Sequence, residues 1–305
     1  MVNIKEFSSR EERLSSGHRL CGGCGAPIIA RMVTKATKDP VVIVNATGCL
    51  EVATTIYPYT AWKVPWMHNA FENAAATISG IETAFRALKK KGKIKKEIKF
   101  IAFGGDGGTY DIGLQSMSGA FERGHKFVYV CYDNEAYMNT GIQRSGATPY
   151  GASTTTAPAG KVKQGKEQFR KDLTSIAAAH HVPYVAQAAP SEWNDLITKA
   201  EKALNADGPA FLNVLSPCPR GWRFPENLTI EISKLAIKTR FWPLIEIENG
   251  KWTLNKDITK PLPIKEWIKS QGRYSHLLKP GNEAIIEKIQ ERVNKDWEKI
   301  KKLCS

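Results

Sequence analysis

Apolar residues along the chain fall into short continuous runs divided by polar, glycine-bearing turns. The runs 41–46, 98–104, 127–132, 182–188 and 210–215 are rich in Val, Ile, Phe, Tyr and Ala. Runs this short, flanked by Gly, Pro and Asp, predict strands buried on both faces. Between them the apolar positions recur at helical spacing. Helices are predicted at 27–37, at 68–91 with Phe71, Ala75, Ile78, Ala84, Phe85 and Leu88 available for packing, and beyond residue 108 with Ile112, Met117 and Phe121 inward. Two more are expected at 172–181 and from a Ser191 cap to Ala206. Strands alternating with helices predict an α/β fold with a mostly parallel, doubly wound sheet. Past Arg223 the pattern changes. Residues 242–254 read as a hairpin turning at Asn249-Gly250, and 280–303 as an amphipathic helix with Ile285, Ile286, Ile289, Val293, Trp297 and Ile300 on one face. The expected division is a domain at 1–225 and an extension at 226–305 that packs on it or on a partner. The polar stretch 142–171 is too long for an idle connection and is read as wrapping a site or a partner.

Composition narrows the class. No stretch of the 305 residues approaches the ~18 consecutive apolar positions of a membrane span. Residues 1–20 carry charges where a signal peptide needs an apolar core, so the expected location is the cytoplasm, with no membrane partner. There thiols stay reduced, and clustered cysteines favour metal over disulfide. A net charge of +14 invites a nucleic-acid reading, but the lysines are scattered or sit in one solvated run at 89–96, and no nucleic-acid motif accompanies them. A basic surface equally suits acidic partner subunits, an acidic electron carrier or coenzyme A phosphates.

The candidate chemistry lies in 103–141. A strand runs into Gly104-Gly-Asp-Gly-Gly108, and the next strand ends in Asp133-Asn134-Glu135. Asp106 and Asn134 are oxygen donors 28 positions apart, the length of one strand-to-strand crossover. Ligands of open α/β sheets sit outside the carboxyl ends of the strands, so both residues can face one ligand. Mg²⁺ takes one or two carboxylates plus phosphate oxygens, and glycines beside the carboxylate let backbone N–H groups reach a diphosphate. No Lys follows the glycines, and no G-x-G-x-x-G is present, which removes the P-loop and dinucleotide fingerprints. The bland alternative is a glycine turn with no cofactor.

Gly105-Asp106-Gly107 followed by a strand ending in Asn134 resembles the thiamine diphosphate motif of thiamine-dependent enzymes, with Glu135 where a second asparagine is usual. The continuation through Tyr137-Met-Asn-Thr140 to Pro149 resembles the β subunit of pyruvate:ferredoxin oxidoreductase and its 2-oxoacid relatives, over residues 17–225. That resemblance implies the diphosphate half of a thiamine-binding fold. It implies that Asp106, Asn134 and the Ala136 carbonyl hold Mg²⁺, and that Gly105, Gly107, Gly108, Tyr137 and Thr140 border the cofactor. Asn139 matches the family residue near the reacting carbon, and Thr47, Gly48 and Cys49 match a loop lying against the thiamine.

The cysteines alone leave choices open, since Cys21-x-x-Cys24 suits zinc, thiol redox or an iron–sulfur cluster. In the family, such a pair, a third cysteine about 25 residues on and a distant fourth hold one [4Fe–4S] cluster; here these are Cys21, Cys24, Cys49 and Cys218. A tetrathiolate zinc site is the alternative. Cys131 reads as a packed strand thiol and Cys304 as a frayed end; His180-His181, pointing different ways on a helix, read as structural. His68 and Glu72 could face the cofactor, with a helix-start histidine the plainer reading of His68.

The implied activity is oxidative decarboxylation of a 2-oxoacid, most naturally pyruvate, to acyl-CoA, with electrons leaving through the cluster to ferredoxin. The same machinery would serve 2-oxoisovalerate, another 2-oxoacid or oxalate; a zinc-bearing structural subunit is the reading from a different class. The glutamate that activates thiamine comes from another domain or subunit in this family. The implied partners are therefore a pyrimidine-binding α subunit, a ferredoxin-like iron–sulfur subunit and a small γ chain, without which this chain is inactive.

Overall fold

The apolar runs form strands that lie side by side in one eight-stranded sheet. The structure, a computed structural model, describes residues 3–305. In chain order the strands are β1 (Val41–Ala46), β2 (Trp66–Asn69), β3 (Lys99–Gly105), β4 (Val128–Asp133), β5 (Tyr184–Ala188), β6 (Ala210–Leu215), β7 (Ile245–Glu248) and β8 (Lys251–Leu254). Across the sheet they run β2-β1-β3-β4-β6-β5-β7-β8. The first six are parallel; β7 joins β5 antiparallel, and β8 joins β7 antiparallel. β4 and β6 are buried at every position, as central strands covered on both faces must be.

Alternation along the strands sorts side chains into two cores. Val41, Ile43, Phe103, Val130, Tyr132, Leu212 and Val214 pack beneath helices Gly25–Lys35 and Trp193–Asn205. Val44, Phe100, Ala102, Tyr129, Cys131 and Phe211 face helices Ala74–Lys90 and Leu114–Glu122 on the other side. Cys131 is the packed thiol expected of it. The hairpin turns at Asn249 and Gly250, both with positive φ, and docks on the β5 edge; helix Glu283–Cys304 lies against β8. That blunts an edge otherwise open to strand addition. A third core joins Trp222 to Trp242, Trp267, Tyr274, Leu277, Ile289 and Val293, fastening the C-terminal region to the sheet.

Three local expectations fail. Residues 68–73 are not helical: Trp66–Asn69 is an edge strand paired with β1, and the helix begins at Ala74 behind Asn73. The ladder bonds from 66–69 to β1 outcompete the helical period that the downstream apolar residues suggest. Beyond Asp106 the chain makes one wide π turn, Gly107–Ile112, before the α-helix starts at Leu114, and this rotates Ile112 out to 56% exposure. Glu192, not Ser191, stands at the N-cap of Trp193–Asn205. Cys304 lies within the last helix. Residues 142–171 carry no regular element, as expected of a wrapping loop.

Candidate functional site

The carboxyl ends of β1, β3 and β4 open into one cleft, with about 290 Å³ of open space. Thr47, Gly48 and Cys49 border it from the end of β1, Gly105, Gly107 and Gly108 from β3, and Asn134, Ala136, Tyr137, Asn139 and Thr140 from β4. Eleven of the twelve residues singled out as cofactor-binding thus share one wall; the twelfth, Asp106, lies directly beneath, fully buried. Asn139 and Thr140 stand exposed at the mouth, and Tyr137 is half-buried.

The glycines are there because of close approach. A Cβ on Gly107 would fall 2.4 Å from the Tyr137 ring, one on Gly108 3.0 Å from the Phe71 carbonyl, and one on Gly48 2.5 Å from Tyr132 Oη. Only glycine lets these neighbours close so tightly on the turn. Phe71 meets the edge of the Tyr137 ring at 5.9 Å and forms a side wall. Thr47 Oγ1 bonds His68 Nε2 at 2.7 Å, so His68 serves the β1 loop from an edge strand.

Asp106 Oδ2 accepts from Ser145 Oγ at 2.5 Å, and Oδ1 accepts from the Asn134 backbone N–H at 3.2 Å. The Asn134 amide has two settings. Turned one way its nitrogen donates to Asp106 Oδ1 at 2.8 Å and to the Ala136 carbonyl at 2.9 Å; turned the other, its oxygen stands at those distances from two further oxygens. Octahedral Mg²⁺ with ~2.0–2.1 Å bonds keeps neighbouring oxygens about 2.9 Å apart, and both spacings from the Asn134 amide match that separation. Burial first, and the Asp133 charge second, push the Asp106 carboxyl well above its ordinary range. A divalent cation would reverse that balance.

Behind the triad lies a buried charge lattice. Glu135, at φ 68°, turns its carboxylate away from the cleft to Arg170, 2.9 Å away, and to Arg273 of the C-terminal region. Arg170 also grips Asp133, which accepts from Tyr110 Oη at 2.6 Å. The Arg273 guanidinium lies 4.1 Å over the Trp222 ring, and Trp222 Nε1 donates to the Asn134 carbonyl at 2.8 Å. Trp222 is four residues past Cys218, so the last cysteine loop and the Asn134 turn are tied together.

Lys166, 2% exposed, donates to the Ser145, Gly146 and Thr148 carbonyls and clamps the long loop behind Asp106. Burial lowers its pKa to about 8. Between there and the ordinary lysine value near 10.5 the unfolded chain binds the extra proton, so this group makes stability rise with pH across that window. Urea midpoints at pH 7.5 and 9.5 should show the rise, and Lys166→Met should flatten it.

Cys21, Cys24, Cys49 and Cys218 gather beside the cleft. The Cys24 and Cys49 thiols are raised to about 12, by burial first and then by the charges of other members of the quartet. Burial also raises Cys218, whose Sγ accepts from the Gly221 N–H at 3.3 Å. Among the described residues no three His, Cys, Asp or Glu stand close enough to grip one ion. Tetrahedral Zn–S bonds of ~2.3 Å would need the sulfurs about 3.8 Å apart. Four thiols are the donor set of either a tetrathiolate zinc or a [4Fe–4S] cluster.

Sequence reasoning missed Tyr132, Met138, Ser145, Arg170, Trp222 and Arg273, and placed Phe71 in a helix. Only Tyr132 carried a usable signal, as the last inward residue of a strand ending at the motif.

Residues 46–214 match the family model described as thiamine pyrophosphate enzyme, C-terminal TPP binding domain. The chain is 55% identical to pyruvate synthase subunit PorB of Thermotoga maritima, over 98% of this chain and 95% of that one. It is 54% identical to the PorB of Methanocaldococcus jannaschii, over 93% and 96%. Ketoisovalerate oxidoreductase subunit VorB of Pyrococcus abyssi is 44% identical over 96% and 94%. Among solved structures, a 2-oxoglutarate:ferredoxin oxidoreductase from Magnetococcus marinus shares the fold, with a TM-score of 0.56 and 20% identity over 73% of this chain and 79% of that one.

Proposed function

The chain belongs to the PorB and VorB family of 2-oxoacid:ferredoxin oxidoreductase β subunits, and on that premise we infer that it is the thiamine diphosphate-binding subunit of a pyruvate synthase. The observation that carries the reading is the shared cleft, where the oxygens of Asp106, Asn134 and Ala136 meet the glycine turn.

Bound there, thiamine diphosphate supplies the electron sink that decarboxylation of a 2-oxoacid needs. The N–H groups of the turn at Gly105, Gly107 and Gly108 orient its diphosphate. Asp106, Asn134 and the Ala136 carbonyl would hold the Mg²⁺ that thiamine diphosphate needs. Phe71 and Tyr137 exclude water from one side, and Asn139 at the mouth offers its amide to the substrate. Cys21, Cys24, Cys49 and Cys218 would hold a [4Fe–4S] cluster, with Cys49 at the loop that borders the thiamine cleft. Among the described residues no glutamate lines the cleft. The activating glutamate comes from a pyrimidine-binding α subunit, while a ferredoxin-like subunit and a γ chain complete a cytoplasmic complex that delivers electrons to ferredoxin and acyl groups to coenzyme A. The extension at 226–305 belongs to the cofactor machinery through Arg273.

The test is anaerobic purification of the native complex, with metal analysis and substrate-dependent reduction of ferredoxin. About four iron and four labile sulfide per β chain, beyond the partners' own, are expected. Pyruvate should be turned over with the highest kcat/KM; the VorB likeness makes 2-oxoisovalerate the competitor to run beside it. Reduction that ignores thiamine diphosphate, or one zinc in place of the iron, would sink the reading.

A smaller test addresses the glycine turn. Overpacking costs ~1–3 kcal/mol, so Gly107→Ala, which drives a methyl into the Tyr137 ring, should weaken thiamine diphosphate binding about tenfold. Cofactor titration of the complex at fixed Mg²⁺ measures it.

A further inference from the structure

Two buried hydroxyls beside the cysteines have no hydrogen-bond partner: Tyr132 Oη and Ser216 Oγ. Both residues are almost wholly inaccessible, at 2% and 1%. Buried polar groups are nearly always paired, so an orphan at a candidate site calls for an explanation. Alternation puts both on one face. Tyr132 continues Val128 and Val130, and Ser216 continues Leu212 and Val214, in the core that also receives Cys24. Ser216 still holds the ladder, its N–H donating to the Asp133 carbonyl at 2.8 Å.

Each hydroxyl abuts the backbone next to a cysteine. Tyr132 Oη lies 2.5 Å from where Gly48 would carry a Cβ, one residue before Cys49. Ser216 Oγ lies 3.0 Å from the same point on Gly25, one residue after Cys24, and Ser216 itself is two residues before Cys218. The Tyr132 ring crosses Gly105 to arrive there, with its nearest ring carbon 3.3 Å from the Cβ position of that glycine. Asn45 is also orphaned on this face but pairs with Phe103, whereas Tyr132 pairs with Gly105. It sits two residues deeper in the sheet, away from the cysteine loops.

We propose that Tyr132 and Ser216 donate hydrogen bonds to the anionic sulfur of the group held by Cys21, Cys24, Cys49 and Cys218, and so raise its reduction potential. This rests on the cluster reading above. Its physical basis is that reduction adds negative charge to the sulfurs, and O–H donors aimed at them favour the reduced state. Tyr132, standing between Gly48 and Gly105, is then a positioning residue at the boundary of the two cofactor loops.

The experiment is a mediated redox titration of the intact, anaerobically purified complex, followed by EPR. The β-subunit component is identified as the one altered by Cys21→Ser. Tyr132→Phe and Ser216→Ala each remove one hydroxyl and keep the packing. Each should lower that component's midpoint by at least threefold in the reduction equilibrium, about 30 mV at 59 mV per tenfold. The other clusters should not move. Unchanged midpoints in both variants at wild-type iron content would overturn the proposal. So would weaker thiamine diphosphate binding with no midpoint change, since the hydroxyls would then serve the other cofactor. Absence of cluster iron from the wild-type complex overturns the underlying reading instead, and is seen before any variant is made.

Discussion

Asp106→Asn in the assembled complex is expected to lower pyruvate-dependent ferredoxin reduction by ~10³-fold or more, while leaving the metal-free fold as stable as before or more so. The two effects have one cause. Asp106 is completely buried, with Asp133 and Glu135 as charged neighbours, and its carboxylate is costly there without a cation. The amide is isosteric and neutral; its oxygen can accept from the Asn134 N–H while its NH₂ donates to Ser145 Oγ, with that hydroxyl turned to accept. What it loses is the only anionic member of the oxygen triad, and a neutral triad has little hold on a hydrated Mg²⁺. Melting in EDTA should therefore show no loss, whereas Mg²⁺ with thiamine diphosphate should raise the wild-type Tm and not the variant's. A variant that melts early in EDTA would show that Asp106 is structural, and normal turnover would remove it from the metal site altogether.

How much of this was legible beforehand depends on how local each determinant is. The glycine turn, Asn134 and the four cysteines are readable because backbone approach and ligation demand particular residue types at strand ends. The parallel sheet follows from runs such as 127–132 and 210–215, whose unbroken apolarity means burial on both sides. His68 was misplaced because helical periodicity is a property of a window, whereas the ladder bonds that hold it depend on β1, more than twenty residues upstream. Ile112 was turned outward by a π turn that no spacing rule anticipates. Glu135 read as a departure from the usual asparagine pair. In the fold it has another employment, since its positive φ swings the carboxylate off the cleft and onto two arginines.

The second of those arginines joins the ends of the chain's chemistry. Arg273→Met is expected to destabilise the protein by ~3–5 kcal/mol, because removing one partner of a buried pair leaves the other charge uncompensated. At roughly 2–4 °C per kcal/mol for a chain this size, the melting temperature should fall about 10 °C. Arg273 is 3% exposed and Glu135 not exposed at all, so solvent cannot substitute for the lost partner. Arg170 remains, but it is already shared with Asp133. The damage should not stop at stability, because the guanidinium also stacks on Trp222, which bonds the Asn134 carbonyl. Thiamine diphosphate affinity should therefore fall as well, measured below the lowered melting point. Arg273→Lys keeps the charge but not the planar fork or the stacking, and should lie between wild type and methionine in both measurements. Glu135→Gln combined with Arg273→Met should recover part of the lost stability, since the stranded carboxylate is then gone. A methionine variant that melts with the wild type would mean the C-terminal region is not held through this pair, and full cofactor affinity in it would cut the link from Arg273 to the Asn134 turn.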